Sequence, residues 1–194
     1  MVPETSRGYM GLLLDAESHL IAVPGKKEHL RLAIGEAHRR YTRRINFREG
    51  WRGHLWQEWF SSFVMDEHYL LACTRYIENN PVRANLVRHA KKWRWSSASA
   101  HISVQNDALV DVNPLLSIIK GDWRNFLGQR LSPTETDDIR KHAQTGRPLG
   151  DVRFVTRLEC LLGRELRPRK PPEESKKKWK INILSLEFLS LELR

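Results

Sequence analysis

Residues Gly53–Val87, GHLWQEWFSSFVMDEHYLLACTRYIENNPVRANLV, decide how the chain is read. Trp56, Phe60, Phe63 and Val64 are aromatic and β-branched residues of the kind that fit a half-buried strand, so an extended segment is expected first. Asp66 can then cap a helix, predicted from Glu67 to about Asn79. Leu70, Leu71, Cys73, Thr74 and Ile77 recur at helical spacing and predict its core stripe. Pro81 stops it, because proline has no amide hydrogen and restricts the residue before it. Tyr76 and Asn80 are four apart, so both can project from one side of the helix end.

Upstream, Tyr9–Leu14 and Ser18–Val23 are short apolar runs whose simplest reading is two strands, with a hairpin as one arrangement and short helices as the alternative, and Pro24 and Gly25 break the second run. Lys26 to about Asn46 is the clearest long helix, with Leu30, Ile34, Ala37, Tyr41 and Ile45 on one stripe. Arg39, Arg40, Arg43 and Arg44 crowd the rest of it with His38, and Arg48 and Arg52 extend the charge. These cations outnumber the nearby Glu36 and Glu49, so pairing along the helix cannot neutralise them. A face that contacts phosphates is expected, with a merely solvated basic face as the alternative. Trp51, Trp56 and Trp59 fall close together and suit either base stacking or core packing. After Pro81, Arg83 and Arg88 lie exposed on a short helical turn, and Trp93 and Trp95 sit among Lys91, Lys92 and Arg94.

Further helices are expected at Pro114–Ile119 and Trp123–Leu127. Ser132-Pro133-Thr134-Glu135 starts another, by serine cap, first-position proline and third-position glutamate. Asp151 caps a last one with Phe154, Leu158, Leu161 and Leu162 on one stripe. These helices suit either a small DNA-binding appendage or plain helical packing. The chain divides on this reading into 1–103, 104–163 and a basic tail, 164–194, whose proline and charge density predicts disorder. No role is assigned to Ile181–Arg194, whose leucines would be an aggregation liability if exposed.

A net charge of +10 over 194 residues points to a polyanionic partner, nucleic acid first. Two distant cysteines in apolar helical patterns, Cys73 and Cys160, argue for reduced, buried thiols in a cytoplasmic setting. No apolar run approaches the roughly 18 residues of a membrane span, and no export signal is expected. No phosphate-binding glycine loop, zinc spacing or serine–histidine pattern competes for the chemistry.

The ordered motifs Gly53–Gln57, Phe60–Ser62, Tyr69–Leu71, Arg75–Ala84 and Trp93–Ser97 resemble those of the single-tyrosine HUH transposases of insertion sequences. The branch most similar is that of the REP-associated tyrosine transposases. The resemblance implies an α+β fold, a ferredoxin-like antiparallel sheet with helices. Here it would be incomplete at the N-terminus, as in a truncated or degenerate member, and followed by the small helical region. It implies Tyr76 as the catalytic nucleophile and Asn80 as a ligand of Mg²⁺ or Mn²⁺. The family's two strand histidines fall on Glu17 and His19, with Glu17 standing in as an oxygen donor on the same strand face. Such proteins act as homodimers on single-stranded, hairpin-bearing DNA, cleaving and rejoining it through a 5′-phosphotyrosine intermediate. The expected function is therefore DNA transposition and recombination. The alternative is a catalytically inactive DNA-binding remnant that retains the basic helix and the C-terminal helices; Arg83 is expected to contact DNA together with the arginines of that helix.

Overall fold

The computed structural model describes residues 9–13, 19–26, 28–56 and 60–168. Its centre is the helix α2 (Glu67–Glu78), which β1 (Tyr9–Leu13), α3 (Asn80–Arg83), α6 (Trp123–Gly128) and α7 (Pro133–Thr145) pack against. The Asp66 carboxylate accepts the Tyr69 amide at 2.9 Å, which satisfies one of the donors a helix start leaves open. Ala72, Cys73, Thr74, Ile77 and Glu78 are buried, so the core stripe read from the sequence faces the interior. Around them gather Leu115 from α5 (Asn113–Ile118), Trp123, Phe126 and Leu127 from α6, and Ile139 from α7. Burial of the Cys73 thiol pushes its pKa up to about 12, so it stays protonated and inert.

The ferredoxin-like sheet is overturned. The described residues are mostly helical, and their one sheet is a two-stranded antiparallel hairpin of β1 and β2 (His19–Ala22). Leu13 faces His19, Leu12 faces Leu20 and Gly11 faces Ile21, so the expected hairpin is present, but no further strand joins it among the described residues. The strand expected over Trp56–Val64 is also absent from its described part. The extended backbone there meets only the turn before the last helix, through a single bridge of Met65 to Leu149. Phe63 and Met65 instead pack sideways on the helical core. Aromatic side chains satisfied by helices gain the burial that a sheet would offer, without a neighbouring strand.

The long basic helix α1 (His29–Glu49) buries none of its residues. Its expected core stripe is half-covered at Leu30, Ile34 and Ile45 and exposed at Ala37 and Tyr41, because no other element among the described residues seals it. Gly50 closes the helix at φ 65°, a left-handed turn that suits glycine. The chain then runs back along α1. Asn46 Nδ2 donates to the Gly53 carbonyl at 2.9 Å, and the Trp56 ring stacks on His38 with centroids 4.0 Å apart. Trp56 is thus held by α1 rather than by the core, and Trp51 is exposed.

In the C-terminal half, α7 begins with the expected capping box. Glu135 N–H donates to Ser132 Oγ at 3.1 Å, and Ser132 N–H returns to Glu135 Oε2 at 2.7 Å. That backbone hydrogen bond from Ser132 is the main reason the Glu135 carboxyl titrates below its usual range. A lowered folded-state pKa contributes stability above the unfolded value of ~4.3, lost as pH falls through the lower folded value. Glu135→Gln is therefore expected to cost about 0.5–1 kcal/mol at neutral pH and to flatten the acid limb of a pH–stability curve. Urea midpoints measured from pH 6 down to pH 2 check this; an unchanged acid limb would refute it.

The last helix, α8 (Val152–Leu162), starts at its Asp151 cap, where the Phe154 amide donates to Asp151 Oδ1 at 2.6 Å. Its apolar stripe is half-buried at Phe154 and Leu158 and exposed at Leu161 and Leu162. Cys160 is exposed, against the expectation of a buried thiol, because α8 lies at the edge of the packing and not within it. Beyond α8, Leu166 and Arg167 amides donate to Glu159 Oε1, which folds the first residues of the expected tail against the helix. The rest of that tail, 169–194, lies outside the described residues, as do Glu17 and Trp59.

Candidate functional site

Tyr76 occupies the last full turn of α2, half-buried at the point where the helix gives way to α3. Asn79 closes α2, and Pro81 sits in the first turn of α3, so the chain bends and continues as a second short helical turn. That bend brings Arg83 back over Tyr76. Its Cζ lies 4.0 Å from the Tyr76 ring centroid, a cation–π contact. Arg83 Nη1 donates to the Tyr76 carbonyl at 2.8 Å, and Nη2 donates to Asn80 Oδ1 at 2.9 Å. From β2, the His19 ring meets Tyr76 edge-on, with centroids 6.1 Å apart. From α7, Arg140 reaches the Tyr76 side chain, and hydrogen bonding to it holds the guanidinium above its ordinary pKa. Burial pushes Arg83 the other way, and the nearby charge of Arg140 adds to that.

The structure therefore brings His19 and Arg83, both read from the sequence, to Tyr76, and Arg83 in turn holds Asn80. Tyr69, seven residues earlier, is chemically different. Its hydroxyl donates to Asp138 Oδ2 at 3.0 Å, and burial, aided by Asp138, pushes the phenol up to about 12. It ties α2 to α7. Arg140 was not legible as part of the site, since nothing local marks an arginine in the middle of α7.

As a divalent-cation centre the described residues do not fit. Mg²⁺ and Mn²⁺ favour several oxygen ligands, preferably carboxylates. Here Asn80 Oδ1 is already held by the Arg83 guanidinium, and a second guanidinium stands beside the phenol. Among the described residues no three His, Cys, Asp or Glu side chains converge. Glu17, the expected oxygen donor, lies outside them.

The expected DNA-contacting arginines lie in two places. Arg39, Arg40, Arg43, Arg44 and Arg48 are on α1, with Arg52 just past its end, while Arg83 is at Tyr76. Arg39 and Arg40 share Glu36, with contacts of 2.6–2.8 Å that hold its carboxyl down to about 2. Arg48 pairs with Glu49. Among the described residues Arg43 and Arg44 have no acidic partner, and with Arg39, Arg40 and Phe47 they line an open groove. Phe47 is 91% exposed, a bare ring beside a row of cations. The sequence reading missed it, although its spacing of four from Arg43 and eight from Arg39 places it on their stripe. Trp95 is a second exposed ring, under Arg94 at 4.8 Å, whereas Trp93 packs on the core. No described helix is long and apolar enough to cross a membrane. Compared with models of protein families, with curated proteins and with solved structures, the chain finds no match.

Proposed function

We propose that this chain is a transposase-type DNA-binding protein acting on single-stranded, hairpin-bearing DNA, with Tyr76 as the nucleophile for strand cleavage and rejoining. The observation that supports it is the convergence of Arg83 and His19 on a single half-buried tyrosine. A phenol is a weak nucleophile at neutral pH, so attack on a phosphodiester needs help at the phosphate. Guanidinium groups supply it by hydrogen bonding the non-bridging oxygens, where negative charge gathers in the transition state. The Tyr76 oxygen bonds to phosphorus as the bond to the 3′-oxygen breaks. The phenol gives up its proton, the departing 3′-oxygen gains one, and the 5′-phosphate stays on the tyrosine. Rejoining is the reverse, with a 3′-hydroxyl attacking the phosphotyrosine. The α1 groove would hold flanking DNA, with Arg43 and Arg44 on phosphates and Phe47 under an unpaired base.

The second reading is a DNA-binding remnant without chemistry. What favours it is the Arg83–Asn80 hydrogen bond, which occupies the side chain expected to hold a metal. Incubating the full chain with a labelled hairpin oligonucleotide and Mn²⁺ or Mg²⁺ separates the two. A covalent protein–DNA adduct on a denaturing gel, lost completely in Tyr76→Phe, is the expected result. Retained hairpin binding with no adduct in either protein would sink the nucleophile assignment and leave the remnant. The homodimer implied by the resemblance is read from the mass of the same complex.

A further inference from the structure

We infer that the turn Arg88–Trp95 is a second nucleic-acid contact, a platform on which Trp95 stacks an unpaired base while Arg88, Lys91, Lys92 and Arg94 hold the strand's phosphates. It rests on the reading above for nucleic acid as the ligand, but uses neither Tyr76 nor the groove of α1. The turn carries four cations in eight residues, and no aspartate or glutamate occurs from Asn79 to Asn106. At its centre the 3₁₀ turn Ala90–Lys92 packs against α3 and α4 (Ala98–Ser103), which both lie within that acid-free stretch. Glu78, just before it, is buried and spends its oxygens on Ser97, His101 and Trp123. Arg88, Lys91, Lys92 and Arg94 are therefore exposed and make no ion pair among the described residues. A cluster of like charges left to solvent is stabilised by a polyanion, which releases its counterions as it binds.

The two tryptophans of the turn have different fates. Trp93 packs on the core and Ala90 is buried, so the turn is anchored from beneath. Its shape is fixed by backbone hydrogen bonds, from the Lys92 amide to the His89 carbonyl at 2.9 Å and from the Trp93 amide to the Ala90 carbonyl at 3.1 Å. Trp95 is 51% exposed, and Arg94 Cζ lies 4.8 Å from its ring centroid. A guanidinium stacked on indole keeps the N–H donors at its edge free, so this one pair offers a π surface and phosphate donors together. Bases in a duplex are already stacked on each other, so an exposed indole selects a single strand, and does so with little preference for sequence. Anionic lipid would satisfy the charge alone; the Arg94–Trp95 stack on an anchored turn matches a base and its phosphate.

The test measures binding of two fluorescent hairpin oligonucleotides by the full chain, one blunt and one with a single-stranded thymidine tail of about ten nucleotides. Trp95→Ala is expected to weaken binding of the tailed hairpin about tenfold and of the blunt one less than about twofold. Trp95→Phe keeps a smaller ring and should recover most of the loss. Lys91→Gln combined with Lys92→Gln should lower the slope of log affinity against log salt by roughly 1.4 on the tailed hairpin. Arg153→Gln on α8, exposed and outside the turn, should leave both affinities nearly unchanged. Trp95→Ala binding the tailed hairpin like wild type would overturn the platform. Equal losses on the two hairpins would overturn it as well, since they place the contact on duplex. Loss of binding to phosphatidylserine vesicles in Trp95→Ala, with DNA affinity unchanged, would overturn it in favour of a membrane surface. A tail-dependent loss in Trp95→Ala with no adduct at Tyr76 in the wild type would uphold the platform and sink the cleavage reading. A wild-type chain that binds neither hairpin would overturn both. Trp95 is at the surface, so its variants should unfold at the wild-type temperature. Were Trp95→Ala to unfold earlier, the lysine pair decides: an unchanged salt slope on the tailed hairpin overturns the platform.

Discussion

Glu78→Ala is expected to destabilise the fold by about 3–5 kcal/mol, the cost of breaking a buried charged network by removing one member. Glu78 is fully buried, at 0% exposure, in the last turn of α2. Its Oε1 accepts from Ser97 Oγ at 2.6 Å and from His101 Nδ1 at 2.7 Å, and its Oε2 accepts from Trp123 Nε1 at 2.8 Å. Ser97 stands at the start of α4 (Ala98–Ser103), which carries His101 itself, and Trp123 opens α6. One carboxylate therefore ties three helices together. The His101 and Trp123 rings stack with centroids 4.3 Å apart and planes 14° from parallel, so neither can turn to find another acceptor without losing that contact. Alanine would leave the His101 and Trp123 donors buried without this acceptor, each costing about 1–3 kcal/mol, with some relief as the site relaxes. Glu78→Gln keeps the shape and should cost markedly less. Urea unfolding of the two variants checks this, and an alanine effect below about 1 kcal/mol would show that water or repacking replaces the carboxylate. Tyr76 lies two residues before Glu78 in α2, so loosening this network should also disorder the helix end that carries Tyr76.

Asp66→Ala should cost about 2 kcal/mol, more than an ordinary helix cap, because this carboxylate serves two helices. Oδ1 accepts the Tyr69 amide at 2.9 Å inside α2, and Oδ2 accepts the Asp151 amide at 2.8 Å at the start of α8. The Asp66 amide donates to the Leu149 carbonyl at 3.0 Å, which brings the two chain segments together. Gly150 makes that approach close: a Cβ there would lie 2.7 Å from Asp66 Oδ2 and would also strike the Phe154 ring. Loss of a cap alone costs about 1 kcal/mol, and loss of the hydrogen bond from the exposed Asp151 amide adds up to a comparable amount. Asp66→Asn, which keeps one acceptor oxygen, should fall between alanine and wild type in thermal unfolding. Equal effects of the asparagine and alanine variants would mean that only one of the two caps matters.

The parts of this molecule that were legible in one dimension are those written in contacts of four residues or fewer. Asp66, Ser132 with Glu135, and Asp151 announce three helix starts, Pro81 marks the break between α2 and α3, and the period of Leu70, Cys73 and Ile77 marks the buried face. Tyr76 and Asn80 were legible as neighbours for the same reason. What tertiary structure alone decided is every question of partners. Phe60, Phe63 and Val64 have a strand's composition, but a strand needs another strand beside it, and here Phe63 packs on the helical core while Val64 stays exposed. The stripe on α1 has a core helix's period, yet burial requires a second surface, and none among the described residues closes over it. Glu78 reads as an ordinary solvated glutamate until α4 and α6 fold onto it, and Arg140 as an ordinary surface arginine until α7 docks on α2. Local propensity sets where a helix begins and which face is apolar. Desolvation and long-range pairing, which depend on residues dozens of positions away, set which face is covered and which polar groups meet.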